Sequence, residues 1–263
     1  MKLLFSTGSL HYLPLEQVFS LAQETGFDGC ELVAGPNIGD SAFLERVFRC
    51  GEAFPVCSLH APYTRIPAWG NNIEALARAV TVARRLGARV VNFHPPSWFS
   101  MELQFLKWFR RVQDFQRELQ CEEIFLTVEN MPRVGRKLML SPFFLNDMND
   151  LIDFGMARNL YFTFDTTHCA SFHDDVVAAF IRFFSTGRLK NVHFSDYGDS
   201  KEHLFPGRGE VPVVKLLNVI RRLGYDGMIT LELSPHEWPK NEEWLRRLMK
   251  YAVSFMKFNL GLS

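Results

Sequence analysis

The chain has 263 residues, of which 47% are hydrophobic and 22% charged, and its formal net charge is zero. This composition predicts a globular protein, excludes a disordered one, and offers no basic excess that would indicate a nucleic-acid partner. No uninterrupted apolar stretch approaches the roughly 20 residues that span a bilayer.

The N-terminus and the cysteines predict the compartment. The first apolar run breaks at Ser6 and Gly8, too early for the core of a signal peptide. The five cysteines are odd in number, widely spaced and without a C-x-x-C pair, which favours reduced thiols. We therefore expect a cytoplasmic protein. The cysteines are Cys30, Cys50, Cys57, Cys121 and Cys169.

Short apolar runs alternate with longer amphipathic segments along the whole chain. Runs rich in Val, Ile, Phe and Thr predict strands at 3–8, 29–33, 56–60, 89–94, 124–130, 160–165, 191–196 and 228–233. Helical spacing of apolar residues predicts helices at 14–25, 40–52, 71–86, about 101–120, 144–155, 174–185, 212–223 and 241–257. Glycine stops follow several of these helices, as at Gly26, Gly87 and Gly224.

The eight strand–helix units predict a single (β/α)₈ barrel, an α/β fold, as one domain over residues 1–263. The apolar runs are mostly continuous, which is typical of parallel strands buried on both faces. A doubly wound open sheet is the main alternative. The count of eight and the lack of a glycine-rich nucleotide loop after the first strand favour the barrel.

Histidine or acidic residues occupy the C-terminal ends of six successive strands, the third to the eighth. They are His60, His94, Glu129, Asp165, His193 and Glu232. In a closed barrel these ends converge on one circle, where unpaired charges would be very costly. A divalent metal ion removes that cost and suits mixed imidazole and carboxylate ligands. The pattern therefore predicts a metal site, with His168 one short loop beyond Asp165.

Each of these residues alone is more commonly structural: a hydrogen-bonded histidine, a helix cap or an ion pair. The joint pattern favours the metal. Glu31 on the second strand is either a partner of the site or a simple polar residue of the barrel. His11, His173 and His236 receive no role. The aromatic run at 98–109 predicts a helix packed on the barrel, with Trp98 and Phe99 lining a substrate pocket as the alternative.

Seven motifs together resemble the xylose isomerase-like TIM barrels over essentially the whole chain. They are SLHAPY (58–63), VNFHPP (91–96), TVEN (127–130), FDTTH (164–168), NVHFSD (191–196), HLFPGRGEV (203–211) and LEL (231–233). That superfamily includes sugar and sugar-phosphate isomerases and epimerases, and also the endonuclease IV enzymes that cut DNA at abasic sites. The form of the HLFPGRGEV loop is similar to that of the sugar-phosphate isomerase-like members.

The resemblance implies a metal-ligand set. In the epimerases and isomerases one divalent ion, commonly manganese, is held by a Glu, Asp, His, Glu set. By motif those ligands match Glu129, Asp165, His193 and Glu232. In endonuclease IV the same four residues hold one zinc ion, and the first Glu bridges to a second zinc ion.

Endonuclease IV also implies further ligands. The histidines of the second zinc match His60 and His94, and a histidine of the third matches His168. The third zinc also takes a D-x-H pair, for which His203 is in place. Lys201 stands where the aspartate of that pair is expected, a departure from the three-zinc pattern.

The first functional hypothesis is an isomerase or epimerase of a small sugar, polyol or sugar phosphate, dependent on manganese or zinc. The metal would stabilise an enediolate, while Glu129 and Glu232 transfer a proton at carbon from opposite faces. His168 would orient or protonate a substrate oxygen. Lys201 and Arg208 would meet a carboxylate or phosphate, with a loop salt bridge as the alternative for Arg208.

The second hypothesis is zinc-dependent cleavage of phosphodiesters at abasic DNA. His60 and His94 favour it, and Tyr63 could stack on a base or sugar. The zero net charge and Lys201 count against it. A ligand-binding barrel without turnover, or a subunit role, is a third interpretation, and homo-oligomerisation stays open. For the abasic-DNA hypothesis, the best candidates for contacts with DNA phosphates are Arg133, Arg136 and Lys137.

Overall fold

The structure is a computed structural model that describes residues 1–98, 103–132, 142–172 and 175–262. Several predictions fall outside these described residues. They concern the beginning of the helix expected at 101–120, the phosphate-contact cluster, the pocket role of Phe99, and His173. The residues of that cluster are Arg133, Arg136 and Lys137.

Eight parallel strands close into a barrel, which confirms the predicted fold class. They are β1 (Lys2–Ser6), β2 (Gly29–Val33), β3 (Val56–His60), β4 (Val90–Phe93), β5 (Phe125–Glu129), β6 (Tyr161–Asp165), β7 (Leu189–Phe194) and β10 (Met228–Leu231). The two strands between β7 and β10 in sequence, β8 (Asp196–Gly198) and β9 (Lys201–Leu204), form a separate hairpin. Neighbours in sequence are neighbours in the barrel, and β10 closes it by pairing with both β7 and β1. The C-terminal ends of all eight strands therefore lie at one mouth.

Helices connect the strands. They are α1 (Leu15–Thr25), α2 (Ser41–Ala53), α3 (Asn72–Leu86), α4 (Leu103–Arg111), α5 (Phe115–Glu118), α6 (Met148–Ala157), α7 (Thr166–Ala170), α8 (Val176–Ser185), α9 (Val213–Arg222) and α10 (Glu242–Leu260). Side-chain caps set several of their starts. Asn71 and Glu74, for example, form a reciprocal capping box at α3, and Gly87 ends that helix in the left-handed region at φ 70°.

Two local predictions were wrong, and one short helix was not predicted. The helix expected to reach residue 120 breaks after Arg111, and Asp114 starts α5 by accepting from the backbone of Arg117. A short helix, α7, follows β6 directly. The strand expected at 191–196 ends at Phe194, and the chain then forms a hairpin of β8 (Asp196–Gly198) and β9 (Lys201–Leu204).

Phenylalanines fill the layer between barrel and helices. On β6, Phe162 and Phe164 both contact the ring of Phe183 on α8, with centroids 5.4 Å apart. Because side chains alternate along a strand, Thr163 and Asp165 face the other way, into the barrel. This alternation carries the carboxylate of Asp165 to the barrel mouth on a strand whose outer face is apolar.

No helix among the described residues is both long and apolar enough to cross a membrane. The five cysteines are buried. The assignment of residues 1–263 to one domain stays a prediction.

Replacing Gly29 by alanine should destabilise the barrel. A Cβ at this position on β2 would lie 2.7 Å from the carbonyl oxygen of Pro55 and 2.9 Å from Cys57 Sγ. We expect Gly29→Ala to lower the free energy of unfolding by about 1–3 kcal/mol, measured by urea denaturation. Gly35→Ala is the control, since no atom lies within 4 Å of the added Cβ. An equal loss in both variants would contradict this account.

Candidate metal centre

A ring of six small polar residues lies two positions before the six candidate ligands at the ends of the third to eighth barrel strands. Because strand side chains alternate, each of them faces the same side as its ligand, one layer deeper in the barrel. All are fully buried, and they are hydrogen-bonded across strands, as between Thr127 and Thr163 at 2.8 Å and between Thr230 and Asn191 at 2.9 Å. The ring consists of Ser58, Asn92, Thr127, Thr163, Asn191 and Thr230.

The eight predicted ligands converge at the mouth of the barrel in three groups. In each group the candidate ligand atoms lie within 4.8 Å of one another. The groups share residues, so they form one continuous centre. They are Glu129, Asp165, His193 and Glu232; His60, His94 and Glu129; and Asp165, His168 and His203.

Glu129 joins two of these groups through its two carboxylate oxygens. Its Oε2 lies 3.5 Å from Nε2 of both His60 and His94. Its Oε1 lies 3.2 Å from His168 Nδ1 and 3.3 Å from His193 Nδ1. Asn92 donates a hydrogen bond to Oε2 and so holds the carboxylate in this orientation. One side chain can therefore serve two neighbouring cation positions.

Backbone carbonyls orient two of the histidines. His60 Nδ1 lies 2.8 Å from the Ala61 carbonyl oxygen, and His168 Nδ1 lies 2.9 Å from that of Asn130. A carbonyl oxygen only accepts, so Nδ1 carries the proton in both rings. When the ring is neutral, the lone pair is therefore on Nε2, which can bind a cation.

Glu31 orients His193 from across the barrel. β2 and β7 are separated by β1 and β10, so the contact runs through the interior. Glu31 Oε1 lies 3.0 Å from His193 Nε2, while Oε2 accepts from Ser58 at 2.7 Å and from Asn191 at 2.9 Å. Of the two roles open to Glu31, the geometry supports that of a partner of the site. His193 Nδ1 is left facing the carboxylates.

Negative charge dominates the centre. Burial disfavours protonated His168, but Asp165 and Glu129 outweigh it and raise the pKa of His168 to about 10. Burial opposes the proton on His193 too, yet the surrounding carboxylates hold its pKa well above the usual value. Burial acts to raise the pKa of Glu129, but the charge of His193 and the closeness of the other histidines hold it well below the usual value. The same field favours a bound cation.

Two buried polar atoms fit a metal ion. Asp165 Oδ2 and His193 Nδ1 are fully buried and form no hydrogen bond among the described residues. They lie 3.8 Å apart, and Glu232 Oε2 lies 2.7 Å from the same nitrogen. Buried polar atoms without partners are rare. A divalent ion taking carboxylate oxygens and an imidazole nitrogen would satisfy both atoms.

Sequence reasoning missed Asn130. Its side chain clamps the end of β6, accepting from the Asp165 backbone N–H at 2.8 Å and donating to the Asp165 carbonyl at 2.9 Å. Its own carbonyl orients His168. The signal was present in the TVEN motif, where an amide follows the ligand Glu129 directly.

Among the four predicted substrate-binding residues, Tyr63 contacts histidines of the centre. Tyr63 is exposed, with its ring centroid 6.1 Å from that of His60 and 6.2 Å from that of His94. Trp98 is exposed and packs on Phe144.

The other two predicted substrate-binding residues belong to the segment after β7. Lys201 is exposed on β9 and is not part of the group that contains His203. Arg208 Nη1 lies 2.9 Å from Glu237 Oε2, so Arg208 forms the loop salt bridge that was its alternative.

Asp196 organises the loop between β9 and α9. Its carboxylate is fully buried and accepts four backbone N–H groups, each within 2.9 Å. Oδ1 accepts from residues 197 and 211, and Oδ2 from residues 207 and 209. A loop rich in glycine is thereby held beside the segment that carries His203.

A family model described as xylose isomerase-like TIM barrel matches residues 19–253. The chain belongs to this family. The predicted resemblance is thus confirmed, and members of the family are generally enzymes. An uncharacterized protein of Mycobacterium leprae is 27% identical over 280 residues, covering 95% of this chain and 96% of that protein.

Solved structures share the fold at low sequence identity. A D-tagatose 3-epimerase-like protein superposes with a TM-score of 0.74 at 19% identity, covering 99% of this chain and 97% of that one. Endonuclease IV from Thermus thermophilus superposes with a TM-score of 0.65 at 19% identity, covering 99% of both chains. At this identity the likeness concerns the barrel, not the reaction.

Asp196→Asn should loosen the loop that follows β9. The new amide group would face backbone N–H donors, leaving them buried and unpaired. We expect a loss of about 1–3 kcal/mol in the free energy of unfolding, and faster amide hydrogen exchange at Gly207 and Gly209. Asp199→Asn, an exposed change in the same hairpin, should alter neither. Unchanged exchange in Asp196→Asn would refute the anchoring role.

Proposed function

We propose that this chain is a divalent-metal-dependent isomerase or epimerase that moves a proton at a carbon atom of a small carbohydrate. The observation that carries the proposal is that Glu129 and Glu232 both approach His193 Nδ1, at 3.3 and 2.7 Å. Two carboxylates that flank one cation position can face the same bound substrate from two sides.

The ligand set proposed for this cation is Glu129, Asp165, His193 and Glu232, the group that contains both unpaired buried atoms. Hard carboxylate oxygens with a single imidazole suit manganese, and zinc accepts the same set. When bound, the ion would supply Lewis-acid stabilisation to a substrate oxygen that gains negative charge as the carbon-bound proton leaves.

Glu129 and Glu232 are the proposed proton carriers. Burial acts to raise the pKa of Glu232, but the charge of His193 outweighs it and holds the pKa below its usual value. The charge of His193 also holds the pKa of Glu129 below its usual value, so Glu129 is ionised. Each carboxylate can therefore accept a proton. They differ in access, because the side chain of Glu232 is 21% exposed and that of Glu129 only 1%. Different surroundings allow the two to take opposite roles in one reaction.

His168 is the proposed partner of a substrate oxygen. Its Nδ1 is committed to the Asn130 carbonyl, and the carboxylates of Asp165 and Glu129 raise its pKa and so favour a proton on Nε2. A protonated imidazole at the mouth can donate to, and protonate, an oxygen whose charge grows during the reaction.

A carbohydrate substrate is supported by the mouth of the site and by the epimerase-like neighbour. We propose that Tyr63 stacks on the sugar beside His94 and that Trp98 borders the same opening. Lys201 is the proposed contact for an anionic group of the substrate. Arg208 would share that role only by exchanging its bond to Glu237.

Zinc-dependent cleavage of abasic DNA is the second candidate. The observation in its favour is the group of His60, His94 and Glu129, which could hold an ion besides the proposed one. His203 with Asp165 and His168 would extend the set to a third. The zero net charge disfavours a duplex as partner, since DNA affinity depends on neutralising phosphates.

Asp165→Asn should remove the bound metal. Asparagine can keep the hydrogen bond that Asp165 Oδ1 accepts from His168 N, while the unpaired Oδ2 becomes an amide nitrogen. We expect metal content per chain, measured by plasma mass spectrometry, to fall at least about tenfold. Asp226→Asn, an exposed change of the same charge, should retain the metal. Equal metal in all three proteins would rule out Asp165 as a ligand.

Ketose substrates should exchange hydrogen with solvent on the enzyme. In deuterium oxide, the metal-loaded protein should place one deuterium at carbon in the ketose it accepts, detected by NMR. Glu129→Gln and Glu232→Gln should each slow exchange by about 10²–10⁴-fold, because each removes a proton carrier. Glu210→Gln, in an exposed loop position, should not.

The same protein should be offered an oligonucleotide with one abasic site. Strand cleavage that depends on His60 and His94, with no exchange in any ketose or ketose phosphate, would replace the isomerase proposal by the endonuclease one.

A further inference from the structure

A small side pocket opens behind His94, between the barrel strands and the surrounding helices. Residues of the loops after β3 and β4 line it together with residues of α3 and α4, and its volume is about 100 Å³. His94 forms part of its wall, and the same side chain lies 3.5 Å from Glu129 Oε2 in the candidate metal centre. The cavity, called the His94 pocket below, is therefore separated from the centre by one imidazole ring.

The inner part of the His94 pocket is apolar. Leu76 on α3, Phe93 on β4 and Phe105 on α4 line it, and all three side chains are buried. Space remains between them because the residue before Leu76 is Ala75, whose side chain is a single methyl group. This inner part can therefore surround an alkyl group on several sides.

The polar side chains of the His94 pocket lie nearer its opening. Asn72 and Ser97 are half-buried and Tyr63 is exposed, in contrast to the buried apolar residues. Asn72 is the first residue of α3, where the capping box of Asn71 and Glu74 fixes the backbone. A hydroxyl group at the opening can therefore find a hydrogen-bond partner, whereas one at the inner end would lose its bonds to water.

Charge limits what can enter. None of the described residues that line the His94 pocket is acidic, and none is a lysine or arginine. A phosphate or carboxylate inside would have no cationic partner and would lie near the carboxylate of Glu129. Size limits the occupant too, because the pocket is smaller than the roughly 150 Å³ cavity that holds benzene. The group that fits is uncharged and smaller than an aromatic ring.

The outer wall of the His94 pocket is already formed. Residues 96–98 pair with residues 142–144 through two backbone hydrogen bonds of 2.6 and 2.8 Å. This pairing holds Phe143 in the wall, with its ring centroid 6.4 Å from that of His94. A preformed pocket spares its ligand the cost of ordering the wall.

We propose that the His94 pocket binds the terminal methyl group of a deoxy sugar, so that the substrate is a ketose whose far end is an alkyl group. The inference rests on the proposed function, because the oxygens near the reacting carbon must be held at the metal centre. The methyl group contacts Leu76, Phe93 and Phe105, and the hydroxyl group next to it lies at the opening beside Asn72.

The barrel order gives the substrate a direction. Three strands separate β3 from β7 on either side of the ring, so the His94 pocket and the hairpin after β7 lie on opposite sides of the mouth. Lys201 belongs to that hairpin. An anionic group at the other end of the substrate would therefore point toward Lys201 and away from the pocket.

Matched ketoses test the preference for a methyl group. The probes are the D and L forms of fructose and tagatose, each paired with its 6-deoxy form. For the pair that the metal-loaded protein accepts, kcat/KM for deuterium exchange at carbon should be about 10–100-fold higher with the 6-deoxy sugar. Exchange with equal kcat/KM in both members would overturn the pocket assignment and leave the proposed reaction standing.

Ala75→Leu tests the location, because the larger side chain would fill the pocket. We expect KM for the 6-deoxy ketose to rise at least about tenfold with little change in kcat, since only binding remote from the reacting carbon is lost. Ala77→Leu, an exposed change on the same helix, should leave KM unchanged. Circular dichroism checks that both variants are folded. An unchanged KM in folded Ala75→Leu would overturn the assignment.

Saturation-transfer NMR on the wild-type protein separates binding from turnover. The methyl protons of the bound 6-deoxy ketose should receive more transfer than its C1 protons, because they are enclosed by apolar side chains. This result without exchange at carbon would support the pocket and contradict the proposed reaction. Weaker transfer to the methyl group, or no transfer to any of the 6-deoxy probes, would overturn the pocket assignment.

Discussion

Buried carboxylates need cationic partners, and Glu129 has four histidines around it: His60, His94, His168 and His193. An unpaired charge in the barrel interior would cost more free energy than folding supplies. The barrel mouth is therefore stable only when its buried charges are paired. The strands, the ring of buried polar residues below the ligands and the backbone carbonyls next to the imidazoles all hold these side chains in positions where their charges are paired. A divalent cation fits the centre because it enters a field that the protein already maintains.

The fold was predictable because each strand is buried on both faces and therefore reads as a continuous apolar run. β6 is the clearest case. Phe162 and Phe164 required a dry outer layer, and the carboxylate of Asp165 at the end of that strand required a partner. The convergence of the candidate ligands followed from barrel closure alone, since the C-terminal ends of parallel strands share one mouth.

Other parts of the structure could not be predicted from the sequence, because they depend on contacts between residues that are distant along the chain. The break before Asp114 and the hairpin of β8 and β9 override local helix and strand patterns. The hairpin turn relies on Asp199 and Ser200 in the left-handed region, at φ 51° and 61°. The role of Glu31 depends on β7, which pairs with β10 rather than β2. A sequence pattern can place a carboxylate on a strand, but it does not say which side chain faces it across the interior.

The environment of Asp196 has a consequence for ligands with phosphate groups. Backbone amides that converge on one point from a glycine-rich loop resemble the concave cradles that bind phosphate in many proteins. Here the cradle encloses a carboxylate from its own chain. At Gly209, an added Cβ would lie only 2.3 Å from the Tyr197 carbonyl oxygen, which leaves little room for rearrangement. An incoming phosphate would find these donors occupied, and its charge would have to be met by side chains.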